Sequence, residues 1–263
     1  MEILQRPGGK LATRPIHFFW AVDCSGSMYG EKIGIVNNTI QECIPKMRSA
    51  ADNNPNAQLM IRALQFSSGA SWLTANPVPV EDYSWEDMDA NGLTELGKAF
   101  DLLAAQLSMP PMPERALPPV IVLLSDGQPT DDYKKSMKNL KKLPWFRKAV
   151  KIAISIGQDA DDEVLIEFTG NKELVLQANN ATTLAKMIKW ASTTASMVSA
   201  PSSKPMNSVQ ALAPAESTST PVATSGTSTP ADDPFAPANN GAPLVLDMSN
   251  IPNPDDFDEG AVW

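Results

Sequence analysis

Residues 16–22, Ile-His-Phe-Phe-Trp-Ala-Val, form a nearly unbroken apolar run with no alternation. A strand without a polar face is one covered on both sides, as in the centre of a parallel sheet. The period then changes. Ile33, Val36, Ile40, Ile44 and Met47 recur every three or four positions and make one face of a helix over residues 32–52. Pro45 lies inside it, lacks an N–H and is a candidate kink. Residues 58–66 and 69–73 read as a hairpin around Ser67-Ser68. Leu96, Phe100, Leu103 and Leu107 mark the next helix face. Residues 120–124 and 150–156 are further buried strands, with a polar helix over 133–143 between them. Segments at 161–168 and 182–197, with a short strand at 173–176 between them, complete the pattern. Strand and helix alternate, which predicts an α/β fold: a doubly wound, mostly parallel sheet with helices on both faces, Rossmann-like in plan.

After residue 197 the pattern stops. Residues 199–243 are rich in Ser, Thr, Pro and Ala and poor in large apolar side chains. Such a stretch cannot offset the entropy cost of ordering and reads as a disordered linker behind a domain spanning 1–198. Its Thr220-Pro221 and Thr229-Pro230 pairs are ordinary for linkers of this kind. Apolar residues return at Leu244, and residues 244–263 mix Leu, Val, Phe and Trp with acids. That composition suits a docking segment that orders on binding, in preference to one that folds back with its carboxylates in the domain's own site.

Charge sharpens the division. The formal net charge is −9, of which the 65 residues from Ser199 onward carry −7, from 1 Lys and 8 acids. The globular part is nearly neutral. Phosphate binding needs clustered Lys and Arg, so a nucleic-acid partner is not expected. The one basic cluster, Lys134, Lys135, Lys138, Lys141 and Lys142, reads as a solvated helix face. Residues 1–10 lack an apolar targeting core, and 16–22 is too short to span a membrane. With only 2 cysteines, Cys24 and Cys43, expected in the reduced state, the reading is a cytoplasmic protein with no membrane partner.

Chemistry concentrates in three short segments. Asp23-Cys24-Ser25-Gly26-Ser27 follows the first strand, Gly92-Leu93-Thr94-Glu95 precedes a helix, and Ser125-Asp126-Gly127-Gln128-Pro129-Thr130-Asp131 follows a later strand. Open α/β sheets bind ligands at such strand ends. Asp23, Ser25 and Ser27 alternate and can point inward from one tight loop, and Thr94 and Asp126 would join from neighbouring loops. Two carboxylates and three hydroxyls are hard oxygen donors, suited to Mg²⁺ or Mn²⁺. Because the hydroxyls add no charge, the ion keeps an electrophilic position, completed most readily by an Asp or Glu from a protein partner. Taken singly, each segment is ordinary turn and cap chemistry; the three together favour the metal. Gln128 to Asp131 are expected to be structural, with Thr130 or Asp131 near a helix cap.

These residues resemble the metal-ion-dependent adhesion site of von Willebrand factor A (VWA) domains. In that family a D-x-S-x-S loop, a threonine and an aspartate bind the metal, which carries over to Asp23, Ser25, Ser27, Thr94 and Asp126 here. The resemblance covers about three-quarters of the chain. The stretch Ser27-Met28-Tyr29-Gly30-Glu31-Lys32-Ile33, then Val36-Asn37-Asn38 and the Ser-Asp-Gly-x-Pro-Thr-Asp segment, is similar to intracellular bacterial TerY-type members. That similarity implies tellurite-resistance or stress signalling, with a Ser/Thr kinase and a PP2C-type phosphatase as partners.

Enzyme readings find less support. The single histidine, His17, sits at the start of the first strand, and no second one could activate Ser25. Gly26 to Lys32 lacks phosphate-loop spacing, and no dinucleotide glycine motif follows a strand. A metal-dependent hydrolase, working through the same carboxylates, and a scaffold acting through its acidic tail are the alternatives to a metal-dependent binding module.

Overall fold

The computed structural model describes residues 14–52, 57–126, 128–157, 160–180, 182–186 and 189. The expected linker and C-terminal segment, 199–263, lie outside these residues, as does most of the last expected helix; residues 182–186 are helical.

Strand β1 (Arg14–Asp23) is the hub, paired parallel to β2 (Ala57–Ser67) on one side and to β5 (Val120–Ser125) on the other. β5 continues to β6 (Val150–Ile156), and β6 to β7 (Val175–Ala178), all parallel. β3 (Gly69–Trp72) and the two-residue β4 (Val78–Pro79) add antiparallel to β2. The order β3-β2-β1-β5-β6-β7 reverses direction between β1 and β5, and a crevice forms where neighbouring crossovers part to opposite faces.

The absence of alternation in β1 has a plain cause. Phe18, Trp20 and Val22 face one way, into a core with α1 (Glu31–Asp52); Phe19 and Ala21 face the other, into a core with α2 (Leu96–Gln106) and α3 (Tyr133–Lys142). The stripe Ile33, Val36, Ile40, Ile44 and Met47 is buried as the spacing predicts, and Pro45 is accommodated without ending the helix.

Three elements differ from the sequence reading. The last strand lies two residues later than 173–176, because Asn171 caps a 3-10 turn at Lys172–Leu174 through its side chain and delays the extended segment. The polar helix ends at Lys142, and a short helix, α4 (Pro144–Lys148), follows with proline in its first turn. β4 is too short to leave a periodicity. α5 (Asp162–Thr169) occupies the 161–168 segment.

His17 is 5% exposed, stacks on Phe19 and has no hydrogen-bond partner for either ring nitrogen among the described residues. Burial holds its pKa down at about 4, against an ordinary 6.5. The unfolded chain therefore takes up this proton first. The stability tied to neutral His17 is complete above pH 6.5 and is lost as pH falls toward 4. Between pH 7.5 and 5 the wild type should lose ~2 kcal/mol more than His17→Phe, measured by urea denaturation at both values. Equal losses would show that His17 does not carry the acid sensitivity.

Candidate metal centre

β1 and β5 end side by side, with Val22 in register with Leu124. The residues that follow, Asp23 on one strand and Ser125-Asp126 on the other, therefore meet. Asp23 is fully buried, and its Oδ2 accepts a hydrogen bond from Ser125 Oγ at 2.6 Å. Its Oδ1 accepts from the Ser25 N–H at 2.9 Å, which turns the chain sharply off the strand. The turn continues as a 3-10 segment, Gly26–Met28, before α1 begins. It brings Ser25 Oγ within 3.0 Å of Ser27 Oγ, and Ser27 Oγ donates to Asp126 Oδ1 at 2.7 Å. Lys32, in the first turn of α1, donates from Nζ to Asp126 Oδ2 at 2.5 Å.

Thr94 arrives by a different route. The segment between β4 and α2 has no regular structure and is tied to α1 instead. Buried Asn37 donates from Nδ2 to the Met88 carbonyl, and its Oδ1 accepts from Met88 N and Trp85 Nε1. Arg48 holds the Val80 and Tyr83 carbonyls. The segment then locks onto the Asp23 loop. Asn91 N donates to the Cys24 carbonyl at 2.8 Å, and Gly26 N donates to the Gly92 carbonyl at 3.0 Å. Thr94 is buried; its N–H donates to Thr130 Oγ1, and the Thr130 N–H returns a bond to the Thr94 carbonyl. Its hydroxyl makes no hydrogen bond to any described residue. Thr130 and Asp131 are structural, as expected, but Asp131 serves α2 rather than the helix it precedes: its Oδ1 accepts from Gly97 N at 3.1 Å.

All five candidate residues thus gather at one end of the sheet. Asp23, Ser25, Ser27 and Asp126 are joined by direct side-chain or loop hydrogen bonds, and Thr94 by backbone links to the same loops. Lys32 and Ser125 belong to the cluster too, and spacing alone did not single them out. For Lys32 a faint signal exists: a cation in the first turn of a helix opposes the helix dipole and so asks for another reason to be there.

The two carboxylates are buried close together, and that sets the electrostatics of the site. Burial pushes the Asp23 pKa up to about 6 and neighbouring Asp126 adds to the rise, while hydrogen bonds from Ser125 and Ser25 pull it back. The residues fit a hard divalent ion. The donors are carboxylate and hydroxyl oxygens, hard ligands of the kind that Mg²⁺ and Mn²⁺ take. Cys24 is buried against Met88 and the Val22 carbonyl, and burial drives its thiol up to about 12, so it supplies no thiolate at neutral pH. Beside the loop opens a cavity of about 550 Å³ lined by Cys24, Ser67, Ser68, Asp87, Asp89 and Asn91 among others.

Residues 19–190 match the von Willebrand factor type A domain family. The chain belongs to that family. VWA domains carry a divalent-metal site and commonly act in protein–protein interaction. No curated protein matches the sequence. Among solved structures the fold is similar to proximal thread matrix protein 1 from the mussel byssus with a zinc-occupied MIDAS motif (18% identity, TM-score 0.53, covering 71% of this chain and 47% of that one). It is also similar to the pilus adhesin SpaC from Lactobacillus rhamnosus GG in an open conformation (15%, 0.56, 70% and 30%), and to a von Willebrand factor type A protein from Catenulispora acidiphila (15%, 0.50, 70% and 43%). The matched region is less than half of each of those chains. At these identities the likeness speaks for the VWA fold alone. No helix among the described residues is long and apolar enough to cross a membrane.

Gly92 is the joint of this VWA site. Its φ is +78°, and a Cβ there would stand 2.6 Å from Ser68 Oγ, the group that fixes the Leu93 N–H. Gly92→Ala should cost ~1–3 kcal/mol of stability in chemical denaturation. Because the Gly26 contact goes with it, any divalent-ion affinity of the loop should fall as well. Unchanged stability would mean that the joint relaxes freely.

Proposed function

We propose that this VWA domain is a divalent-metal-dependent protein-binding module and not an enzyme. In this reading Asp23, Ser25, Ser27, Thr94 and Asp126 hold Mg²⁺, or Mn²⁺ in its place, and a partner's Asp or Glu completes the shell. The observation that carries it is the donor set: two buried carboxylates and three hydroxyls at one strand-end crevice, five oxygens for an ion that takes six. Bound there, the metal supplies an electrophilic position for a carboxylate. The chain's own residues orient that position. Ser125 and the Ser25 N–H fix Asp23, and Ser27 fixes Asp126.

The surroundings suit a protein partner. Tyr29 (79% exposed) and Leu93 (55%) stand on the two loops that frame the crevice, and exposed apolar groups beside a polar anchor are typical of recognition surfaces. No histidine stands at the crevice to serve a hydrolase as base: His17, the chain's one histidine, lies six positions back along β1, ~20 Å from Asp23, and is buried. The finer assignment to a TerY-type stress or tellurite pathway, with a Ser/Thr kinase and a PP2C-type phosphatase as partners, rests on the sequence resemblance alone.

Affinity capture from native lysate separates these readings, run in Mg²⁺ and in EDTA with wild type and Ser25→Ala/Ser27→Ala. The proposal expects a partner retained by wild type in Mg²⁺ and lost on both chelation and mutation. Kinase or phosphatase among the captured proteins would support the TerY-type assignment. A partner held equally in all samples would contradict metal-bridged binding and point to the 244–263 segment.

A further inference from the structure

We propose that Lys32 is a tethered cation that competes with the divalent ion for Asp126 and thereby sets the affinity of the site. The inference rests on the metal reading above and concerns a residue outside the ligand set.

Three observations support it. Lys32 Nζ lies 2.5 Å from Asp126 Oδ2, with the two side chains 19% and 1% exposed, so the pair is shielded from solvent rather than loosely formed at the surface. The side chain is also confined. Gly157, just after β6, packs beside it: a Cβ there would stand 3.4 Å from Nζ and 3.8 Å from Cε, in ordinary van der Waals contact. Finally, Lys32 is the second residue of α1, where the helix dipole disfavours a positive charge. A half-buried lysine held against the dipole is kept there by what it faces.

Lys32 faces a cluster with a charge problem. Asp23 and Asp126 are both buried, and Asp126 already accepts from Ser27 through its other oxygen. Lys32 supplies one of the two positive charges this pair needs, and a divalent ion would supply both. With Lys32 in place, a metal gains less from Asp126 because that carboxylate is partly neutralised. Loading therefore exchanges an ammonium contact for a metal contact. The affinity is held below what five oxygen ligands would give, and the domain does not collapse electrostatically between loading events.

Isothermal titration with Mg²⁺ and with Mn²⁺ tests this on the full chain, comparing wild type, Lys32→Gln, Lys32→Met, Lys32→Arg and Asp23→Ala, with thermal unfolding in EDTA and in Mg²⁺. The neutral variants should bind roughly tenfold more tightly or better, because one like charge beside the ion is gone, melt lower in EDTA, and gain more from Mg²⁺ than wild type does. Lys32→Arg keeps the charge and should stay near the wild-type affinity. A lysine with only a structural role would lower melting in both conditions and leave affinity unchanged or weaker; that result overturns the inference. Should neither neutral variant fold in EDTA, Mg²⁺ must restore folding, and failure to do so also overturns it. If wild type, Asp23→Ala and the neutral variants all bind neither ion, the metal reading itself falls. If wild type binds and Asp23→Ala does not, while the neutral variants match wild type, only the role of Lys32 falls.

Discussion

Two carboxylates are buried at the adjoining ends of parallel strands, and much of the molecule answers to that. Asp23 and Asp126 are 0% and 5% exposed. Buried charge is costly unless it is hydrogen-bonded and balanced. Each of the four carboxylate oxygens has a donor: Ser25 N and Ser125 Oγ on Asp23, Ser27 Oγ and Lys32 Nζ on Asp126. Such completeness requires β1 and β5 to be neighbours in register, the loop after β1 to turn at once, and α1 to start close enough for Lys32 to reach back. The irregular segment before α2 is held to α1 by Asn37 and Arg48, so that Gly92 and Thr94 meet the same loops. The fold is in this sense a frame for placing charge where the strand order of a parallel sheet reverses.

Much of this could be read from the sequence, for physical reasons. β1, β5 and β6 are apolar on both faces, and α1 and α2 carry stripes at helical spacing; such signals arise from burial and survive in a single sequence. The strand-end positions of Asp23 and Asp126 followed directly. What could not be read depends on register and direction. Ser125 contacts Asp23 only because Val22 pairs with Leu124. Lys32 reaches Asp126 across 94 residues of chain. Asp131 caps α2, although it precedes α3 in sequence. The two-residue shift of β7 came from a side-chain cap at Asn171, a local competition that hydrophobic period does not report.

The same arrangement relates the fold to recognition. In the proposed reading, five oxygen donors leave one position on a six-coordinate ion, and an acidic side chain from outside would complete it. Tyr29 and Leu93 give the crevice an apolar rim, so that a partner would be read by packing as well as by charge. The ends of β1 and β5 hold the carboxylates, and the turn after β1 and the irregular segment before α2 hold the hydroxyls and the rim. Core and recognition surface can therefore vary independently, as is usual where sites are built on loops carried by a stable sheet.

The most direct test of the account is an anomalous-scattering map from crystals of this protein grown with Mn²⁺. The account expects one peak, among Asp23, Ser25, Ser27, Thr94 and Asp126, absent in crystals of Asp23→Ala. No peak at that position, or a peak bound elsewhere with this cluster empty, would contradict it.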